Sequence, residues 1–372
     1  MKFVVSSSTL VEHLQVLSRV ISNKNTLPIM NYFLFSLEGS KLTITASDQE
    51  ITMLSTIEVE NKGNDGRIAI LPKYLLDILH ELGDQPLAFE IDESNYAIVI
   101  KSAKGKYSFI GHETEEYPAF RQLEGDVSSI SIPCPLLLEG LSQTLFAVAN
   151  DDLRPIMTGV CFDITTDSLN LVSTDAHTLS RFKLNDIKSE TNINFVLPQK
   201  AASLIKNVLS KETGDASMKF DDKSIFCEIS DYILVCRQIE GTYPKYNSVI
   251  PQDNPIKVIV DRLSLLSAIR RVSVCTNQGS SLMRVSISNG NIYLSGQDID
   301  FSVSGEENVS CQYDGEAIEI GFKAILLIDM LSNMSASDIV IELSDKTRPG
   351  IFSPLNQAEG TEALMLLMPM MI

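Results

Sequence analysis

Asp175 and His177 form the D-x-H pattern that comes nearest to reactive chemistry in this chain. Such a pair could supply two metal ligands or part of a catalytic triad, but a metal site needs three or more converging ligands. The sequence has no HExxH, CxxC, P-loop, GxGxxG or GxSxG motif, and His13, His80 and His112 stand alone. We therefore predict a protein that is not an enzyme and that uses no metal or other cofactor.

The cysteines and the N-terminus predict a cytoplasmic protein. None of the six cysteines shares CxxC spacing with another, so we expect reduced, buried core residues: Cys134, Cys161, Cys227, Cys236, Cys275 and Cys311. The start MKFVVSSST has no apolar stretch long enough for a signal peptide, and no apolar run approaches the roughly 20 residues that cross a bilayer. We therefore expect no membrane association.

The net charge of −18 argues against nucleic acid as a partner, because phosphate binding needs lysine and arginine. Net charge, however, describes the whole surface and not one face of it. An acidic exterior is compatible with a local basic surface, so the positions of the basic residues matter more than their sum.

Asp175 is better explained as one member of a repeat. Alternating apolar segments joined by a polar turn predict a β-hairpin, and an aspartate follows each of three such hairpins: Asp48, Asp175 and Asp298. The steps between these aspartates are 127 and 123 residues. We predict that each aspartate accepts N–H hydrogen bonds in a turn at a strand end.

Two helices recur at nearly the same step. Apolar residues at helical spacing predict the first helix of each repeat at Leu10, Leu14 and Leu17, at Leu137, Leu141 and Leu145, and at Leu266, Ile269 and Val272. A strand followed by a helix recurs at Leu75, Leu79 and Leu82, at Ala201, Ile205 and Val208, and at Ala324, Ile328 and Leu331. Pro72 and Pro198 fall at predicted helix starts, and Pro118, Pro244 and Pro369 close the repeats.

These landmarks predict three α+β domains, at residues 1–127, 128–252 and 253–372, each with two helices and antiparallel sheets. Head-to-tail association of such a chain closes a ring when the rotation permits. A repetitive β-rich scaffold or adhesion module is the alternative.

Six segments in this order resemble the bacterial beta sliding clamp family: MKFVV (1–5), TLPIM (26–30), STDAHTL (173–179), GTYPKY (241–246), EIGF (319–322) and LLMPMMI (366–372). The resemblance spans the whole chain. It implies a head-to-tail homodimeric ring, lined by helices, that encircles duplex DNA and tethers the replicative polymerase without catalysing a reaction. An acidic outer rim would repel DNA while a basic lining attracts it.

Basic residues without neighbouring acids support such a lining. They are Lys200, Lys206 and Lys211 in the predicted helix 199–211, and Arg262, Arg270 and Arg271 in the segment 262–271. By position, the resemblance adds Lys24, Lys73 and the loop residues Asn150, Asp151 and Arg154. Contacts to phosphates would make binding to double-stranded DNA independent of sequence. Pro155 and Ile156 replace the aromatic residues that the family usually has after this arginine.

The resemblance also implies an apolar cleft for short linear peptides of the polymerase, clamp loader and repair proteins. The matching residues are Met157, Thr174, His177, Leu179, Pro244, Val249, Leu326, Leu366, Leu367, Met368, Pro369 and Met370. Flexible methionines suit a surface that accepts many peptides, although the tail could instead be ordinary core, above all at Leu364 and Leu366. Ala176, Thr178 and Met371 depart from the family's pattern.

For the subunit contact, the resemblance implies that Tyr107 and Phe109 of the first domain meet Val274 and Cys275 of the third domain of a second copy. Apolar residues at a sheet edge would otherwise favour aggregation.

Overall fold

The computed structural model describes residues 1–22, 25, 27–151, 153–189 and 192–372. Six α-helices and antiparallel sheets form within these residues, which confirms the predicted fold class. They make up two compact units: Met1–Leu138 with Lys200–Gln238 (unit 1), and Glu139–Gln199 with Ile239–Ile372 (unit 2). No helix in the described part of the chain is long and apolar enough to span a membrane.

In the first repeat, Ser6 caps the first helix by accepting a hydrogen bond from the backbone N–H of Thr9, and Pro72 is the first residue of the second helix. The predicted residues Leu10, Leu14 and Leu17 are fully buried. The elements are β1 (Lys2–Ser6), α1 (Ser7–Ser18), β2 (Phe33–Glu38), β3 (Lys41–Ser47), β4 (Ile51–Glu58), β5 (Glu60–Asn61), β6 (Gly66–Ile70), α2 (Pro72–His80), β7 (Pro86–Asp92), β8 (Ala97–Lys101) and β9 (Lys106–Ile110).

The second repeat departs from the sequence predictions at its helix boundaries. Pro198 is the last residue of a strand, and the following helix ends at Leu209, so Lys211 lies beyond it. Leu145 begins a 3-10 turn instead of continuing the first helix. The elements are β10 (Ser128–Pro133), α3 (Cys134–Thr144), β11 (Gly159–Ile164), β12 (Leu169–Thr174), β13 (Thr178–Leu184), β14 (Ile193–Pro198), α4 (Gln199–Leu209), β15 (Asp215–Phe220), β16 (Ser224–Ile229) and β17 (Tyr232–Arg237).

In the third repeat, Asp261 caps the first helix through the N–H of Ser264 at 2.7 Å. The second helix buries Leu327 and Met330, whereas the predicted core residue Ile328 is only partly buried. The elements are β18 (Ile256–Asp261), α5 (Arg262–Ser273), β19 (Leu282–Ser288), β20 (Asn291–Asp298), β21 (Val303–Ser310), β22 (Ile318–Lys323), α6 (Ala324–Ser332), β23 (Asp338–Leu343), β24 (Gly350–Pro354) and β25 (Thr361–Leu367).

Neighbouring repeats share sheets. Unit 1 holds a five-stranded sheet (β5-β1-β7-β8-β9) and an eight-stranded sheet (β10-β15-β16-β17-β4-β3-β2-β6). Unit 2 holds an eight-stranded sheet (β14-β11-β12-β13-β25-β24-β23-β18) and a four-stranded sheet (β21-β20-β19-β22). Strand β17 therefore pairs with β4, and β25 pairs with β13, while β9 and β21 end their sheets.

Strand register makes the repeats equivalent residue by residue. One cross-strand row runs through each repeat: Ala69–Leu34–Thr45–Leu54, Val196–Cys161–Val172–Arg181 and Gly321–Arg284–Ser295–Glu306. The first residue of each row accepts a backbone hydrogen bond from a later residue, namely His112, Ile239 and Met370. The predicted triplication is thus present in the hydrogen bonding as well as in the sequence.

The cysteines are free thiols. Four are buried as predicted, whereas Cys275 and Cys311 are partly exposed.

Candidate nucleic-acid and peptide interfaces

The three equivalent aspartates have the predicted structural role. One carboxylate oxygen of each accepts the backbone N–H groups two and three residues further on, at 2.8 and 2.7 Å for Asp48, 2.9 and 2.6 Å for Asp175, and 3.0 and 3.3 Å for Asp298. The N–H of His177 is one of these donors, so the D-x-H pattern is a turn. No group of three or more His, Cys, Asp or Glu that could hold a metal occurs among the described residues.

Lys200 at the start of α4 is held by protein groups. Its ammonium donates to the backbone oxygen of Val20 at 2.6 Å and to Asp48 Oδ2 at 2.5 Å. The side chain remains 41% exposed, but its charge is already paired. A phosphate at this position would have to compete with Asp48.

Lys206 on α4 is a freer cation. It is partly exposed and makes no ion pair within the described residues. Lys211, beyond the helix end, pairs instead with Glu12 of α1, a contact that lowers the pKa of the Glu12 carboxyl. The exposed Lys73 lies at the start of α2, and Lys24 lies outside the described residues.

Arg19 is a basic residue that the sequence reasoning missed. It follows α1 directly and donates to Asn207 Oδ1 at 2.8 Å, next to Lys206 in the chain. A last turn of α1 without acidic residues was the available signal. Arg19 and Lys206 thus bring two cations from different helices to one part of unit 1.

In unit 2 the arginines of α5 have three different roles. Arg262 donates to the backbone oxygens of Ala336 and Leu331 at 2.6 and 2.8 Å, which is a structural contact. Arg271 forms an ion pair with Glu307 through two hydrogen bonds and lowers the pKa of that carboxyl. The exposed Arg270 donates only to Ser332 Oγ, at 3.0 Å, in the described structure.

The loop that carries Arg154 exposes an apolar residue, Leu153, that the sequence analysis did not name. Arg154 Nε lies 3.3 Å from Asp151 Oδ2, and Asn150 is exposed. Pro155 begins a 3-10 turn, and Ile156 is partly buried against an apolar cluster of unit 2. Leu153, which precedes Arg154, is 89% exposed, so the loop presents an aliphatic side chain to solvent.

That cluster, the apolar patch, is buried, with no member more than 8% exposed. It contains Cys161, Val172, Leu179, Val196, Tyr246, Ile250, Ile351 and Leu366. Leu179 of β13 and Leu366 of β25 are directly paired across strands. Burial raises the pKa of the Cys161 thiol to about 12, and burial also raises the pKa of Tyr246 above its ordinary value. The side chains of Cys161 and Tyr246 are therefore uncharged at neutral pH, and the patch contains no ionised group.

Exposed residues border the patch. Val249 is 52% and Met368 39% exposed, and Pro244 and His177 are exposed too. Met157 and Thr174 are buried, with the Thr174 hydroxyl donating to the backbone oxygen of Thr178 at 2.7 Å. Ala176 adopts a φ of 76°, a left-handed conformation that favours glycine.

The chain after β25 is fixed at two points. The N–H of Met368 donates to the oxygen of His177 at 2.9 Å, and the N–H of Met370 to that of Gly321 at 2.8 Å. Because neighbouring residues of a strand face opposite sides, Leu366 faces the patch whereas Leu367 is fully buried in the core of the third repeat. Leu326 packs against that same core, while Pro369 is partly exposed.

These features define a class of protein: three copies of one α+β domain joined by shared sheets, with cations on or next to helices and a buried apolar patch that has an exposed border. Residues 1–121, 131–245 and 247–371 match the N-terminal, central and C-terminal domains of the DNA polymerase III beta subunit. The beta sliding clamp of Synechocystis is 29% identical, with 99% of each chain aligned. A sliding clamp from Bartonella birtlesii, solved with griselimycin bound, superimposes with a TM-score of 0.91 at 27% identity, over the full length of both chains.

The chain belongs to the DNA polymerase III beta-subunit family, the beta sliding clamps. The clamp of Pseudomonas aeruginosa, at 23% identity and a TM-score of 0.92 over both full chains, has the same fold. A scaffold or adhesion module, the alternative from sequence, is not favoured.

Proposed function

We propose that two copies of this chain join head to tail into a closed ring around duplex DNA and tether the replicative polymerase without catalysing a reaction. The observation that carries the proposal is the pair of strands left at sheet edges. Strand β4 of the first repeat pairs with β17, and the equivalent β13 of the second pairs with β25. Strand β21 is the third-repeat equivalent of β4 and β13, and β9 is the first-repeat equivalent of β17 and β25. Neither β21 nor β9 has such a partner within the described chain. A second copy supplies it.

The internal repeats predict the register of this contact. His112, Ile239 and Met370 are equivalent, so the residues six positions earlier are Lys106, Ile233 and Leu364. Ile233 pairs with Leu54, and Leu364 with Arg181, each the last residue of its cross-strand row. The third row ends at Glu306, which should therefore pair with Lys106 of the other copy.

Charge and shape support this register. It places a lysine opposite a glutamate, and unlike charges across an interface favour association. It also places Tyr107 opposite Gly305, and an added Cβ at Gly305 would lie 2.7 Å from Cys275 Sγ. The predicted contact of Tyr107 with Cys275 follows. The side chains of Ile110 and Val274, which are 75% and 81% exposed, would become buried in the same interface.

For DNA, we assign phosphate contacts to Lys206, Arg19 and Arg270, none of which pairs with an acid within the described residues. Lys24, Lys73, Asn150, Asp151 and Arg154 remain candidates from the resemblance. Lys200, Lys211 and Arg271 remain candidates from the basic character of their segments. Few contacts, all to phosphate, are what a ring that slides requires.

The proposed peptide site is the apolar patch with its border, including Leu179, Leu366, Met368, Pro244 and Val249. Short linear peptides of polymerase, clamp loader and repair proteins would bury apolar side chains there. About 1.5–3 kcal/mol per large side chain is available from such burial.

Charge reversal tests the ring contact. Lys106→Glu or Glu306→Lys alone should weaken dimerisation more than tenfold, because like charges then face each other. The two changes together restore an unlike pair and should restore the dimer. Sedimentation equilibrium measures each variant, with Lys104→Glu, in the exposed turn before β9, as the matched control. If both single variants dimerise as tightly as the parent, the proposed register is wrong.

A further inference from the structure

We propose that Gln143, Ser173 and Thr178 bind at least one ordered water molecule in a buried polar site of unit 2. These side chains are only 3%, 0% and 2% exposed. Gln143 Oε1, Ser173 Oγ and Thr178 Oγ1 have no hydrogen-bond partner among the described protein atoms. Buried polar atoms without partners are costly, and a water molecule that reaches two to four of them removes that cost.

Ser180 links the strand face that carries Ser173 and Thr178 to the backbone of Gln143. It is the cross-strand partner of Ser173 and follows Thr178 by two residues, on the same face of β13. Its hydroxyl donates to the backbone oxygen of Gln143 at 2.6 Å. Cross-strand neighbours lie about 5 Å apart and alternate residues of one strand about 7 Å apart, which is the span one or two waters bridge.

The orientation of the Gln143 amide follows from its two side-chain contacts. Its Nε2 donates to Glu139 Oε1 at 3.0 Å and to Ser335 Oγ at 3.5 Å, and a carboxylate only accepts. The amide oxygen is therefore left as a free acceptor. Two hydroxyls and one amide oxygen offer both donors and acceptors, the mixture that a water molecule needs.

The first repeat provides an internal control. By register, Ala46, Ile51 and Met53 occupy the positions of Ser173, Thr178 and Ser180. All three are buried and apolar. The same place in the fold is thus filled by hydrocarbon in the first repeat and lined by small hydroxyl side chains in the second.

The site lies behind the apolar patch, because Leu179 points to the opposite face of β13 from Thr178 and Ser180. The water site itself does not rest on the proposed function.

A crystal structure of the full chain that shows ordered solvent tests the proposal. We expect solvent density within about 2.7–3.2 Å of at least two of the three atoms, and none at Ala46, Ile51 and Met53. The triple variant Ser173→Ala, Thr178→Ile, Ser180→Met carries the first repeat's residues and should lose that density.

Absence of density in the parent, or direct bonds among the three side chains, would overturn the proposal. Density that persists unchanged in the triple variant would also overturn it. If the triple variant does not fold, Thr178→Val, which keeps the shape and removes the hydroxyl, should weaken or abolish the density. Neither result depends on dimerisation, DNA or peptide.

Discussion

His13 is a buried titratable side chain within unit 1. It is 9% exposed, shares a hydrogen bond with Ser55 Oγ and stacks on Tyr232 at 5.1 Å between ring centroids. Burial lowers its pKa below the ordinary value of 6.5, an effect that Lys211 reinforces and the acids Asp231, Glu12 and Glu212 oppose. The unfolded chain therefore binds this proton more readily than the folded chain does.

Stability that depends on neutral His13 should be complete above pH 6.5 and decrease as the pH falls below that value towards the lowered folded-state pKa. In urea unfolding, the free energy of unfolding of the parent should exceed that of His13→Gln by more at pH 8 than at pH 5.5. An equal difference at the two pH values would contradict this account of His13.

For DNA binding, the contribution of each lysine depends on whether its charge is already paired with an acid of the same chain. Lys206→Ala should lower the slope of log affinity against log salt by about 1, uniformly across sequences. Lys200→Ala should lower it less, because Lys200 is paired with Asp48. The triple variant Lys200→Ala, Lys206→Ala, Arg154→Ala should show the largest loss. An unchanged slope in the triple variant would show that the cations have been assigned to the wrong positions.

At this scale the sequence predicted the aspartate turns, because each carboxylate and its donors lie within three residues. It could not predict that Lys200 pairs with Asp48, since the two residues meet only when α4 packs beside the end of β3. The missed Arg19 has the same cause: its position beside Asn207 depends on packing between helices.

At the scale of elements, the apolar periodicity predicted all six helices, but several of them end earlier than predicted. Leu145 follows α3 and Leu82 follows α2, since apolar spacing continues beyond the point where the helical hydrogen bonds stop. Lys211 follows α4, whose last residue is Leu209. The alternation along β25 predicted the strand, but its two faces have different partners. Leu366 faces the patch and Leu367 faces the core, which only the tertiary fold decides.

The segment after β25 allows a direct test of the peptide site. Deleting Met368 to Ile372 removes two described backbone hydrogen bonds and part of the border of the patch. Affinity for a polymerase-derived peptide should fall at least tenfold, because apolar contacts of about 1.5 kcal/mol or more are lost. Leu179→Asp should act alike by introducing an unpaired carboxylate.

Isothermal titration measures the affinity of both variants, and thermal melts show whether they remain folded. Leu153→Asp, at an exposed leucine outside the patch, is the matched control and should bind like the parent. Binding within twofold of the parent by both test variants, with normal melts, would mean that the peptide site lies elsewhere.

At the scale of the whole molecule, the repeat step near 125 residues predicted three copies of one domain. It did not predict the two compact units, which divide the second repeat. The reason is that β17 of this repeat pairs with β4 of the first, and β13 pairs with β25 of the third. Pairing between repeats depends on strand edges, which a sequence period does not describe.

The net charge of −18 is compatible with a DNA-encircling role when a local basic lining is combined with topological closure of the ring. A ring held by closure remains on a circle when few phosphate contacts exist. Ordinary surface binding of such an acidic chain would be lost as salt rises.

Retention on DNA of different topology tests this central claim most directly. The protein, loaded onto nicked circular plasmid by a clamp loader, is passed through a gel-filtration column in high salt, and half of the complex is first cut once with a restriction enzyme. We predict that the protein elutes with the circular DNA and is released from the linear DNA. Equal retention on both forms, or release from both, would contradict the proposed ring.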